Sequence, residues 1–489
     1  MMALAQLIER PDCEGAGTEL RGIELDSRKV QAGDLFLAIP GEQHDGRQFI
    51  EQAVANGASA VLAEPPIAGF VDAVPVPLVE VPELQQESGF LASKFYGHPS
   101  RELHMVGVTG TNGKTTVSRL VAQLVRLLGK PCGVIGTLGA SLDEAVSQGG
   151  NTTPDSVSLQ HQLAAWRDDD VFAVCMEVSS HAMVQGRVNG VAFETAIFTN
   201  LSQDHLDYHG SMEAYGRAKL ALFNTEGLRY ALVNLDDAYS PRVLQVLDPA
   251  VTAYRYSLRD ATADIYVEGA TFAAGRVHGL LRTPWGKGEF DSPLAGDFNL
   301  LNLAAAITAV VLAGEALDKV LAAVSQLQPV PGRMQAIANE QGLQVIVDYA
   351  HTPDALEKVL LALRPQVAGE LITVFGCGGD RDQSKRQVMG RIACSHSDRV
   401  VVTSDNPRGE DPAAIVADIE VGCSGQYQLE VDRAKAIALA ITDAQAGDCV
   451  VIAGKGHEDY QIIEGNKIYF SDEAQAAKAL QAAQERVEA

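Results

Sequence analysis

Residues 110–116 read Gly110-Thr111-Asn112-Gly113-Lys114-Thr115-Thr116. A glycine-rich turn ending in lysine and threonine suits phosphate. Glycines let the backbone approach an anion, and the free N–H groups at a helix start point at it along a favourable dipole. Lys114 can reach terminal phosphates, and the Thr115 hydroxyl suits Mg²⁺. The spacing departs from the general phosphate-loop pattern, because Val108 stands where that pattern wants glycine, with Gly107 and Gly110 on either side. A variant nucleoside triphosphate site is expected; the bland alternative is an unrelated glycine-rich turn.

A second set of polar residues falls where apolar runs stop. The run 171–177 ends in Glu177, within reach of a metal on the phosphate loop's nucleotide. It continues through Ser179 and His181 to Gln185 and Arg187. The run 195–200 leads into Asp204, His205, Asp207 and His209, a density of ligand types that suits metal and phosphate chemistry. A helix over 212–223 then presents Lys219, whose ammonium would repel Mg²⁺ and so needs an explanation. Asn151, Thr152 and Thr153 lie in a polar loop before a helix over 156–166. Asn299 reads a base edge or caps the helix that runs on to 313. Further on, His351, Arg381, the stretch Asp405-Asn406-Pro407-Arg408, and Gly454 with Glu458 follow three more apolar runs, at 345–348, 398–403 and 449–453, with a fourth at 371–375. One such strand end is commonplace; several of one design imply a binding crevice.

These residues need scaffolding. The stretch 103–108 reads as a buried strand, and Val117, Leu120, Val121, Leu124, Val125 and Leu128 give the helical spacing of 115–128. Near-continuous apolar runs such as 171–177 belong to parallel sheets covered on both faces. A strand at 134–138 is expected beside them. Earlier come a strand at 33–40, a helix over 49–56, a helix over 84–95 and a turn at 97–100. The 489 residues suggest about three domains at ~150 residues each, placed at 1–98, 99–330 and 331–489. The fold expected is α/β: a smaller N-terminal α/β domain, a central phosphate-loop ATPase domain with a mostly parallel sheet, and a C-terminal Rossmann-like domain. The second boundary rests on the proline and glycine of 329–332, just before Arg333.

The formal net charge of -25 argues against nucleic acid, which wants a basic face. Seven scattered cysteines without a Cys-x-x-Cys pair suggest reduced thiols in a cytoplasmic protein. The N-terminus lacks the basic lead and apolar core of a signal peptide, and no apolar run is long enough to span a membrane. An anionic ligand must therefore find local cations, for which Lys114, Arg187, Arg381 and Arg408 are available.

Taken together, Gly110–Thr116, Glu177 to His181, Asn200 to His209, Asp348 to His351 and Asp405–Arg408 resemble the Mur ligases, the ATP-dependent amino-acid-adding enzymes of peptidoglycan synthesis. The resemblance covers essentially the whole chain, and Asp405-Asn406-Pro407-Arg408 is similar to the signature of the branch that adds meso-diaminopimelate. It implies ATP held by Gly110, Thr111, Asn112, Gly113, Lys114, Thr115, Thr116, Asn299 and His351, and Mg²⁺ held by Glu177 and His205 with Thr115 joining. It resolves the lysine: the matching family residue carries a CO₂-derived carbamate, a carboxylate-like group in place of a cation, so Lys219 also joins the metal ligands. Catalytic assistance is expected from Lys114, Lys219, His205 and His351. The UDP part of the UDP-muramoyl dipeptide falls to Leu25, Ser27, Glu42, Gln43 and His44, although relatives often carry a different polar triplet at 42–44. Asn151, Thr152, Thr153, Ser179, Gln185 and Arg187 would hold the muramoyl peptide. Arg381, Asp405, Asn406, Pro407, Arg408, Gly454 and Glu458 would hold diaminopimelate. A monomer is expected.

Chemistry supports that last pocket. Diaminopimelate carries an amino and a carboxylate group at each end. Arg408 offers a planar fork for the distal carboxylate, and Asp405 or Glu458 can accept from the distal ammonium. The rivals are a lysine-adding relative, which should lack the fork; a folylpolyglutamate synthetase, with no use for 1–98; and a non-catalytic nucleotide switch, with no need of Lys219, Glu177 and His205 together.

Overall fold

The computed structural model describes residues 1–41, 44–71, 74–142, 145–147, 151–273, 276–294 and 296–488. Three sheets with helices on their faces dominate it.

Near the N-terminus, four parallel strands, Gly22–Glu24, Asp34–Ala38, Ala60–Ala63 and Leu78–Glu80, lie in chain order. The helix expected over 49–56 is a 3₁₀ turn, Gly46–Phe49, leading into the helix Ile50–Ala55. Leu84–Phe95 is helical as expected.

The central sheet has eleven strands. Its middle runs Cys132–Gly136, Ala173–Glu177, His104–Thr109, Thr195–Phe198, Tyr230–Asn234 and Thr252–Ser257, all parallel. Strand order reverses about His104–Thr109, so the phosphate loop leaves the sheet at a topological switch point, where open α/β sheets bind ligands. The strand expected at 134–138 lies two residues earlier. The helix expected over 212–223 is Met212–Leu220 followed by a 3₁₀ turn, Ala221–Asn224. Ile265–Ala273, Arg276–Thr283 and Gly286–Ser292 extend the sheet as an antiparallel meander. These three strands lie outside the elements expected above, and in Ile265–Ala273 a bulge between Glu268 and Thr271 interrupts the two-residue alternation.

The phosphate-loop helix Lys114–Leu127 and the alanine-rich helix Asp297–Leu312 cover one face of this sheet. Ala304, Ala305, Ala306 and Ala309 are buried; their small side chains let the two helices approach. Ser156–Asp168 packs Leu159, Leu163 and Trp166 on the other face.

The C-terminal sheet orders Gln335–Ala336, Gln344–Asp348, Cys449–Ala453, Leu371–Phe375, Arg399–Val402 and Tyr427–Leu429. All pairs but the first are parallel. Beyond it stands a separate hairpin, Tyr460–Ile463 with Asn466–Tyr469. No helix of the described residues is long and apolar enough to cross a membrane.

Candidate active site

The phosphate loop is built by its neighbour strand. Thr111 N donates to Asn200 O at 2.9 Å, and Asn112 N to Asn200 Oδ1 at 2.9 Å. Thr199 Oγ1 and Asn200 Nδ2 return bonds to Asn112 O at 2.6 and 2.9 Å. Gly110 (φ +147°) and Gly113 (φ +92°) take backbone conformations that favour glycine, and a Cβ on Gly110 would run into the Thr199 hydroxyl. Lys114 folds over the loop, donating to Gly110 O and Thr111 O at 2.8 and 2.9 Å. Thr115 and Thr116 are buried, and Thr115 Oγ1 accepts from Arg333 Nη2 at 3.1 Å. Arg333, placed in the sequence only beside the linker 329–332, is thus a residue of the site.

Lys219 comes to the same loop. Its Nζ donates to Gly110 O at 2.8 Å and lies 4.2 Å from the Tyr215 ring, with the residue 1 % exposed. Burial, then the Lys114 charge, push its pKa well below that of an ordinary lysine, against the pull of Asp204. Its neutral, nucleophilic amine is thereby favoured. Glu177 is buried at its strand end and accepts from Thr137 N and Oγ1 at 2.9 and 3.1 Å. Glycine at 136 makes the room, since a Cβ there would collide with the Glu177 carboxylate.

His205 takes φ +53° before the short helix Leu206–His209 and meets His181 edge-on at 4.8 Å. Burial drives its imidazole down, and Asp204, 3.3 Å away, opposes this. Burial pushes the Asp204 carboxyl up, but His205, His351 and Lys385 together hold it below the ordinary range. His351 joins from the C-terminal sheet: its Nε2 lies 3.9 Å from Asp204, and its Nδ1–H donates to Tyr349 O at 2.8 Å. Asn299 is buried in the first turn of Asp297–Leu312. Among the described residues, no three His, Cys, Asp or Glu side chains sit close enough to hold a metal ion. Thr115 and Glu177 offer the oxygens a hard cation prefers, whereas Lys219 offers an amine. By donor chemistry alone Thr115 and Glu177 suit Mg²⁺, and Lys219 would join them only if it bore an oxygen-carrying group.

A cavity of about 530 Å³ opens between the N-terminal and central sheets, lined among others by Leu25, Ser27, His44, Asp155, Gln185 and Arg187. Thr152, Thr153 and Ser179 sit instead around Glu177: Thr152 Oγ1 is 3.2 Å from Thr137 Oγ1, and Thr153 Oγ1 donates to Glu177 O at 2.8 Å. Ser179 caps Ser180–Val184 through Ala182 N. Arg187 bridges the two groups by donating to Thr153 O at 3.0 Å. Asn151 is exposed at the edge of this group. Glu42 and Gln43 lie outside the described residues.

At the carboxyl ends of the C-terminal sheet the seven remaining residues gather. Arg408 (φ +53°) donates from Nη1 to Gly379 O and Asn406 O at 2.9 and 3.3 Å; within the described residues it uses no other side-chain donor. Burial, then the neighbouring Arg381 charge, press its pKa down. Asp405 packs where Gly454 (φ +119°) leaves no side chain in the way. Asn406 donates to Glu458 Oε2 at 2.9 Å. The Pro407 carbonyl approaches Gly379, and the more exposed Arg381 donates to Asp380 O at 3.0 Å. The hairpin pins this loop: Arg408 N donates to Ile462 O at 2.9 Å, and Gln461 Nε2 to Asp405 O at 2.8 Å.

Further bonds join the halves of the site. Asn112 Nδ2 donates to Asp354 Oδ2 at 2.9 Å, and Gln203 Nε2 to Ser384 Oγ at 2.9 Å.

Residues 19–96 match the Mur ligase family catalytic domain, 108–310 the Mur ligase middle domain, and 332–456 the Mur ligase glutamate ligase domain. The chain is 50% identical over 483 residues to the UDP-N-acetylmuramoyl-L-alanyl-D-glutamate–2,6-diaminopimelate ligase of Ectopseudomonas mendocina, covering 98% of each. The chain belongs to the Mur ligase family. This Mur ligase is also 49% identical to the protein of the same name from Pseudomonas aeruginosa, with 95% of each covered. A solved structure titled as that ligase superposes with a TM-score of 0.71 at 38% identity, covering 99% of each chain.

Proposed function

We propose that this Mur ligase joins meso-diaminopimelate to UDP-N-acetylmuramoyl-L-alanyl-D-glutamate at the expense of ATP, in the cytoplasm and as a monomer, for cell-wall peptidoglycan. Three domains divide the work: 1–98 for the UDP part, 99–330 for ATP, 331–489 for the amino acid. The relatives' names support the substrate pair, and the separate sheets support the division.

The D-glutamyl side-chain carboxylate attacks the γ-phosphorus of ATP, and the bond to ADP breaks. Lys114 and the N–H groups of 110–116 neutralise the charge that builds up. The amine of diaminopimelate then adds to the acyl phosphate carbon, phosphate leaves, and the nitrogen gives up a proton. Positioning supplies most of the acceleration, with no covalent enzyme intermediate. Asn299 and His351 contact the nucleotide; His205 and His351 flank the reacting groups. Mg²⁺, held by Thr115, Glu177, His205 and a carbamate on Lys219, would supply further charge neutralisation at the phosphates. A carbamate on Lys219 also relieves its conflict with Lys114, since both lysines now share the Gly110 carbonyl.

The observation that carries the choice of amino acid is Arg408, whose side chain is anchored, among the described residues, through Nη1 alone, beside Glu458-bound Asn406. The rest of its fork suits a ligand carboxylate, which would offset the burial that depresses it. L-Lysine lacks the distal carboxylate. A charged hydrogen bond contributes roughly 1.5–3 kcal/mol, or about tenfold or more in discrimination, and the buried charge left unpaired adds to it. A phosphate-release assay with the UDP-muramoyl dipeptide and a panel of amino acids tests the proposal. Turnover is expected with meso-diaminopimelate; equal turnover with L-lysine would refute the role of Arg408.

A further inference from the structure

Lys455 has no part in the steps above, yet it is fully buried, 0 % exposed, between two residues of the amino-acid pocket. Its Nζ donates to Asn406 Oδ1 and to Glu458 Oε2, each at 3.1 Å. Asn406 Oδ1 also accepts from Ile462 N at 3.0 Å. With two donors aimed at one end of the amide, the oxygen must lie there, and the NH₂ must point to Glu458 Oε2. A flipped amide would set NH₂ against an ammonium. Glu458 Oε2 is thus engaged twice from within the protein. Among the described residues, Oε1 receives only a long bond, 3.4 Å, from the Tyr349 hydroxyl. It is the acceptor left for a ligand.

We infer that Lys455 is a positioning residue for amino-acid selection: it locks the Asn406 amide and engages Glu458 Oε2, so that Glu458 Oε1 is presented to the ammonium of the incoming amino acid. This rests on the diaminopimelate pocket proposed above. Without the Lys455 ammonium, Asn406 is free to flip and the inner oxygen of Glu458 loses its charged partner.

The test is Lys455→Met, close in length and without charge, measured beside Glu458→Gln and the double variant. Lys455→Met should raise the KM for meso-diaminopimelate by about tenfold or more, with the KM for ATP and for the UDP-muramoyl dipeptide within about twofold. The double variant should match Glu458→Gln within about twofold, because Lys455 acts through Glu458. An unchanged diaminopimelate KM, a parallel rise in all three KM values, or losses that multiply in the double variant would each overturn the inference. If thermal unfolding shows that Lys455→Met does not fold, the double variant, which lacks the unpaired carboxylate, decides against Glu458→Gln alone. Failure of the unaltered enzyme to use diaminopimelate refutes the pocket itself, and shows before any variant is compared.

Discussion

At position 219 the chain buries a lysine beside a second lysine, where ordinary electrostatics disfavours one. The carbamate proposed above would answer this, with the amine as the group that reacts. Lys219→Ala should therefore abolish synthesis while leaving the melting temperature within a few degrees of the unaltered enzyme; near-normal turnover would remove the carbamate role. Arg408→Ala should weaken diaminopimelate by about tenfold or more, read as KM, with little change for ATP. His457 offers a test by pH. Burial, then the charges of Arg333, Arg119 and Lys455, push its imidazole down to about 4, against about 6.5 in an unfolded chain. As pH falls through that interval the unfolded state takes up the proton and the folded state resists, so stability present above about pH 6.5 declines towards pH 4. His457→Gln should flatten this part of the melting-temperature profile; an unchanged slope would contradict it.

The elements that hold the site were unevenly legible. The phosphate-loop strand and helix, and the strands ending in Glu177 and Asp348, stood out because parallel strands buried on both faces read as unbroken apolar runs. The hairpin of Tyr460–Ile463 with Asn466–Tyr469 did not. Its outer strand is exposed throughout, so no core pattern marks it, although it pins Asp405 and Arg408. Residues 110–116, 177 and 205 could be singled out by type and spacing, whereas Lys219 stood out only as a cation in need of an explanation, which the family resemblance supplied. Arg333 and Lys455 were harder to read: Arg333 meets Thr115 218 residues away, and Lys455, although three residues before Glu458, meets Asn406 only through the fold. The same holds for Arg433 and Asp472, both 0 % exposed and joined by two 2.7 Å bonds. Arg433 also donates to Ser404 O and Ala453 O, the roots of the two amino-acid loops. Asp472→Ala leaves that charge buried and unpaired and should cost roughly 3–5 kcal/mol in denaturant unfolding.

Across the whole molecule, the candidate site residues come from three sheets. Arg333 touches Thr115 and lies 4.5 Å over the Tyr349 ring, tying the C-terminal sheet to the phosphate loop. Arg333→Ala should raise the KM for ATP by about tenfold and leave that for diaminopimelate nearly unchanged; equal effects on both would mean general loosening. Such an assembly makes sense for a reaction in which one carboxylate must meet ATP first and an amine second. The most direct measurement labels that carboxylate. With ¹⁸O in the D-glutamyl side-chain carboxylate of the UDP-muramoyl dipeptide, meso-diaminopimelate and ATP, each phosphate released should carry one ¹⁸O per amide formed. Unlabelled phosphate, or amide formed without ADP, would contradict the account.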